Sequence, residues 1–163
     1  MHYHNITKDD MKNGAGLRAV LWVSGCEHKC LECQNPITWD PEGGLEFDDA
    51  AEQELFSIIE KDYISGLTLS GGDPLYCTNI DVLTKLCIKV KNKFPNKTIW
   101  LYTGYEWESI IQYDIVKYLD VIVDGKYDKS CRDIKLKWRG SNNQRVIDVI
   151  ESLRNNCCVL YCD

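Results

Sequence analysis

Short apolar runs separated by amphipathic stretches constrain the fold of this chain more than any other feature. Leu17-Arg18-Ala19-Val20-Leu21-Trp22-Val23 reads as a buried strand that stops at Ser24-Gly25. Gly66-Leu67-Thr68-Leu69-Ser70 reads as a second, broken by Gly71-Gly72-Asp73-Pro74. Residues 98–102 form a third, and residues 120–124 a fourth that ends at Gly125. Between them lie helical patterns. One, capped by Asp48 or Asp49, carries Leu55, Ile58 and Ile59 on one face. Another opens at Thr78 and carries Val82, Leu83, Leu86, Val90 and Phe94 before Pro95. A shorter one is expected over 107–113, residues 144–153 fit strand and helix equally, and 157–161 reads as a last strand. Apolar strands alternating with helices predict an α/β fold with a mostly parallel sheet. Functional loops in such sheets follow the carboxyl ends of strands. The loops 26–33 and 70–74 both follow strands, so they are expected at one edge, sharing a ligand.

The length of 163 residues suits one domain, expected to span 1–163, with 44% hydrophobic and 27% charged residues. The longest apolar run near the start, Ala19-Val20-Leu21-Trp22-Val23, is far short of the ~18 residues of a membrane span. MHYHNITKDDMKNG has no apolar core and does not read as a secretory signal, and His2 and His4 are expected in a mobile terminus. A net charge of −6 argues against a broad basic face for nucleic acid. The expectation is a soluble, cytoplasmic protein with neither a nucleic-acid nor a membrane partner.

Nine cysteines are an odd number, and without a secretion signal they point to metal or redox chemistry rather than a disulfide framework. Cys26, Cys30 and Cys33 form C-x3-C-x2-C, whose thiolates can converge on one centre from a single loop. Structural zinc would need a fourth ligand, from His28 or a distant cysteine. A [4Fe-4S] cubane usually takes four cysteines, so three would leave one iron open to a substrate. Spacing alone leaves both open. His28 is expected to be a solvent-exposed polar residue of the loop. Cys87 falls on the apolar face of the second helix and reads as core, while Cys77 and Cys131 have no assigned role. In the terminal CCVLYC, strand geometry puts Cys158 and Cys162 on one face and Cys157 on the other, so the three do not converge easily. Trp100, Tyr102, Tyr105 and Trp107 are either a docking surface or packing, and Lys85, Lys89, Lys91 and Lys93 read as a solvated helix face.

The C-x3-C-x2-C loop after a first strand resembles the cluster motif of the radical S-adenosylmethionine enzymes. That resemblance implies that Cys26, Cys30 and Cys33 hold a [4Fe-4S] cluster whose open iron chelates S-adenosylmethionine. It also implies that Gly71, Gly72 and Asp73 stand where the family holds the methionine amino group. Glycines let backbone carbonyls approach an ammonium, and a carboxylate adds charge attraction. The resemblance is closer still to the activating proteins of anaerobic ribonucleoside-triphosphate reductases. It runs through Gly14-Ala15-Gly16-Leu17-Arg18, VSGCEHKC, LSGGDPLY, LYTGYEWE, VIVDGKY and WRGSNNQRVID. It implies a minimal radical S-adenosylmethionine fold, a partial (β/α) barrel, that removes a hydrogen from a glycine in the reductase's large subunit. A flavodoxin- or ferredoxin-type donor would supply the electron, and no catalytic side chain beyond the cluster and S-adenosylmethionine is implied. The resemblance puts Glu32 and Gln34 beside the adenine, where they depart from the apolar or small residue and the aromatic usual at those positions. Thr103 and Asp124 sit at strand ends where related activases hold the ligand or a cation, whereas the stretch 139–145 matches without a defined role. The competing readings are a radical enzyme acting on a small molecule, a non-catalytic zinc module and a small electron carrier.

Overall fold

The computed structural model describes residues 1–161. In chain order the elements are β1 (His2–Asp10), β2 (Leu17–Val23), β3 (Leu45–Glu46), α1 (Asp49–Ile59), β4 (Ile64–Gly71) and α2 (Ile80–Lys93). Then come β5 (Thr98–Tyr102), α3 (Trp107–Ile110), β6 (Val121–Asp124), β7 (Arg145–Asp148) and α4 (Val149–Asn155). All seven strands join one sheet in the order β3-β1-β2-β4-β5-β6-β7. The fold is α/β, as expected.

The sheet is mixed rather than mostly parallel. Its centre, β2-β4-β5-β6, is parallel, but β1 and β3 on one flank and β7 on the other pair antiparallel. Among the described residues the order ends at β3 and β7 and closes no barrel. The N-terminal segment, expected to be mobile, is the strand β1. Register shifts after Tyr3 and Thr7 break its alternation, so its buried residues, Tyr3 and Ile6, are three apart rather than two. The ambiguous stretch 144–153 divides at Asp148. This residue ends β7, and its side chain accepts from Glu151 N at 2.9 Å to cap α4. The strand expected over 157–161 is only an isolated bridge, Leu160 to Ile147.

α1 begins at the Asp48 cap, which accepts from Ala51 N, and buries Leu55, Ile58 and Ile59 against the sheet. α2 buries Leu83, Leu86, Cys87 and Val90. Its lysine face is not simply solvated, since Lys89 pairs with Glu52 at 2.7 Å and Lys91 with Asp120 at 2.6 Å. Trp100 and Trp107 are buried and serve packing, not docking. None of the described helices is long and apolar enough to cross a membrane.

Arg18 lies fully buried on β2 and is held by neutral groups. Its guanidinium donates to Thr68 Oγ1 (2.7 Å), Thr98 Oγ1 (2.9 Å) and the carbonyls of Ala15, Leu67 and Thr98, and it lies 5.3 Å from the Trp100 ring centroid. Burial lowers its pKa to about 10, which leaves it cationic at neutral pH. This cation ties β2 to β4 and β5. Arg18→Met keeps the stem but strips several buried acceptors of their donor. It should cost about 3 kcal/mol and lower the thermal midpoint by roughly 6–12 °C.

Cys87 gives a second check. Burial pushes its thiol from 9.0 up to about 12. Because the folded value is raised, its contribution is complete below pH 9 and is lost as pH climbs towards 12. Cys87→Ala should flatten that alkaline limb in denaturation measured against pH.

Candidate metal centre and ligand cavity

Because β2, β4, β5 and β6 are parallel, the loops after Val23, Gly71, Tyr102 and Asp124 leave the same edge of the sheet. They border a cavity of about 540 Å³ that holds Cys26, Cys30, Cys33, Gln34, Gly71, Gly72, Asp73 and Thr103 in its wall. That volume suits a small organic ligand, for which ~300–1,000 Å³ is usual. The cysteine loop and the Gly-Gly-Asp loop therefore do face one space.

The glycines act first on the protein's own backbone. Gly72 N–H donates to Val23 O (2.8 Å), Asp73 N–H to Gly25 O (2.7 Å) and Gly25 N–H to Thr38 O (2.8 Å). A Cβ on Gly72 would stand 2.4 Å from Gly25 O, so only glycine lets the two loops lace together this closely.

Asp73 is buried, and its carboxylate is fully engaged within the protein. It accepts from Leu75 N (2.8 Å), Thr103 Oγ1 (2.9 Å), Gly104 N (2.9 Å) and His28 Nε2 (2.7 Å). A carboxylate offers about four lone-pair sites, and these donors fill them. It is a staple between loops and has no acceptor left over for a ligand ammonium. His28, expected in solvent, is buried with a side chain only 5% exposed. Its charge partner lies 45 residues away in sequence, so nothing local in the loop announced the burial.

The three cysteines are half-buried. Burial pushes the Cys26 and Cys30 thiols up, with the neighbouring Cys33 adding to the effect at Cys30. Iron or another cation must displace those protons to bind. Among the described residues no three His, Cys, Asp or Glu side chains converge tightly enough to share one ion. A structural zinc site closes with four ligands, whereas a cubane takes each thiolate on a separate iron. Three thiols in one wall are the sulfur donors a cluster uses, and the Nε2 of His28, the nearby candidate for a fourth zinc ligand, is taken by Asp73.

Two buried polar atoms on residues of this wall, Trp39 Nε1 and the Tyr102 hydroxyl, have no partner among the described residues. Unpaired buried polar atoms are uncommon and costly. The sequence leaves Tyr102 open between docking and packing.

Two of the expected residues lie elsewhere. Glu32 is exposed and pairs with Lys129. Asp124 borders a neighbouring cavity of about 830 Å³, where its buried carboxylate accepts from Trp107 N (2.8 Å) and Arg145. Arg145 also forks onto Glu108 at 3.0 and 2.8 Å, and these two carboxylates hold its guanidinium firmly protonated. The stretch 139–145 gains a structural role. Gln144 Oε1 accepts from Gly140 N and Ser141 N, its Nε2 donates to Gly125 O, and Arg139, Gly140 and Gln144 help wall the cysteine cavity.

The cysteine loop and the glycine loop wall one cavity, and comparison with known proteins gives the class, an iron–sulfur protein. The family model described as "4Fe-4S single cluster domain" matches residues 12–147. Among curated relatives, the anaerobic ribonucleoside-triphosphate reductase-activating protein of Enterobacteria phage T4 is 50% identical over 146 residues, covering 90% of this chain and 93% of its own. The protein of the same name from Haemophilus influenzae is 40% identical over 148 residues, covering 88% and 96%. That from Escherichia coli K12 is 39% identical over 150 residues, covering 90% and 97%. The chain belongs to the family of anaerobic ribonucleoside-triphosphate reductase-activating proteins.

An unpartnered buried hydroxyl costs stability while no ligand pairs with it. Tyr102→Phe should therefore raise the thermal midpoint of the ligand-free chain, by about 2–4 °C for roughly 1 kcal/mol. A fall would show that the hydroxyl is paired within the protein.

Proposed function

We propose that the chain is a radical S-adenosylmethionine activase that installs a glycyl radical on the large subunit of an anaerobic ribonucleoside-triphosphate reductase. The observation that carries this reading is the common cavity, whose wall brings the three cysteines and the Gly71-Gly72 loop together. The names and coverage of the relatives supply the reductase as partner. On this reading the chain is one radical S-adenosylmethionine domain, a minimal partial-barrel form of that fold.

Cys26, Cys30 and Cys33 would hold a [4Fe-4S] cluster, with one iron left open. A cluster held there and reduced by a flavodoxin- or ferredoxin-type donor would supply one electron to the sulfonium of S-adenosylmethionine, breaking an S–C bond to give methionine and a 5′-deoxyadenosyl radical able to take a hydrogen atom from glycine. The protein's part is to bind, orient and keep dry. Gly71, Gly72 and Gln34 line the space S-adenosylmethionine would occupy. Asp73 contributes by fixing the loops, its own acceptors being spent.

Anaerobic reconstitution with iron and sulfide should give about four irons per chain. Reduction and added S-adenosylmethionine should then yield 5′-deoxyadenosine. Cys26→Ala, Cys30→Ala and Cys33→Ala should each abolish that product. Retention by any one of them would refute the ligand set, and zinc uptake in place of a cluster would favour a structural module.

A further inference from the structure

The ligand assignment leaves a buried histidine between two of the cysteines without a task. The backbone of this loop is weakly supported. Lys29 and Glu32 have positive φ, +46° and +55°, a conformation unfavourable for side chains of this kind. The backbone bonds lie at or beyond the cysteines, Cys26 N–H to Trp39 O and Cys33 N–H to Cys30 O, each 3.2 Å. The middle is anchored through side chains instead. His28 Nε2–H donates to Asp73 at 2.7 Å, and its ring meets Tyr105 edge-on with centroids 4.5 Å apart. The Tyr105 hydroxyl turns back to Glu27 in the same loop. Gly104 makes the slot, for a Cβ there would stand 2.5 Å from His28 Cδ2. Asp73 belongs to the very loop whose glycines line the cavity.

We propose that His28 is a positioning residue that fixes the cysteine loop against the loop after β4. Through Asp73 it holds the cluster and S-adenosylmethionine in one relation. The proposal rests on the reading given above, and His28 acts without touching substrate. Imidazole supplies both needs of the slot, a donor for the carboxylate and a flat apolar body between Gly104 and Tyr105. A loop already held in its liganded shape spares the ordering cost at binding, and groups that orient ligands typically affect affinity or activity by ~10–100-fold.

The test uses the full chain, reconstituted anaerobically, as the unsubstituted protein and as His28→Ala, His28→Gln and Gly104→Ala. Gly104→Ala keeps every hydrogen-bonding side chain and displaces only the ring, so it decides the matter even if His28→Ala does not fold. For each, iron per chain, the dissociation constant for S-adenosylmethionine and the change it causes in the reduced cluster's EPR spectrum are measured. His28→Ala and Gly104→Ala should hold iron, yet bind S-adenosylmethionine at least about tenfold more weakly and lose the spectral change. His28→Gln keeps an N–H donor and should recover most of both. A purely structural role would lower the thermal midpoint and leave the spectral change in place. Unaltered affinity and spectral change in Gly104→Ala or His28→Ala overturns the proposal. If the unsubstituted chain with a verified cluster neither binds S-adenosylmethionine nor responds to it, the functional reading fails and the proposal with it.

Discussion

The Asp73 carboxylate is the interaction on which the site depends. Donors from its own loop (Leu75 N), from the end of β5 (Thr103 Oγ1 and Gly104 N) and from the cysteine loop (His28 Nε2) all converge on it. A buried carboxylate is costly unless its lone pairs are filled, and this one is satisfied only when three chain segments stand together. The cost of burying the charge thus becomes a geometric specification. Any movement of one loop unpairs the group and is penalised. Asn79 reinforces the same junction, its side-chain amide donating to Ser24 O at 2.8 Å and Asp73 O at 3.2 Å.

Beneath that junction the sheet supplies a rigid base. The parallel core β2-β4-β5-β6 sends its loops out of one edge, and Arg18 stitches the first three of those strands from within. Further along the edge, Arg145 clamps Asp124 and Glu108, tying β7 and β6 to the helix after β5. The result is a cavity whose walls come from distant stretches of sequence, yet are each held by buried polar bonds.

The parallel core was legible in the sequence because its strands are buried on both faces and read as near-continuous apolar runs, as with 17–23 and 98–102. The flanks were not. β1 is polar because an antiparallel flank needs only one apolar face, and its bulges disrupt the alternation that would have marked it. The stretch 144–153 satisfied two periodicities because it contains a strand and a helix joined at Asp148. At the site, the cysteine spacing and the glycine pair are local signals and could be read directly. The destinations of His28, Glu32 and Asp124 could not, since each is decided by a partner far along the chain: Asp73, Lys129 and Arg145. The chemical type of a loop residue is written locally, but its burial is decided by the tertiary fold.

The central claim is that three cysteines hold a cluster with one open iron facing S-adenosylmethionine. Mössbauer spectroscopy of the ⁵⁷Fe-reconstituted chain tests it most directly, because it resolves individual iron sites. The account predicts that adding S-adenosylmethionine shifts the parameters of one iron towards higher coordination and leaves the others unchanged. A cluster whose irons all remain equivalent, with a spectrum indifferent to S-adenosylmethionine, would contradict it.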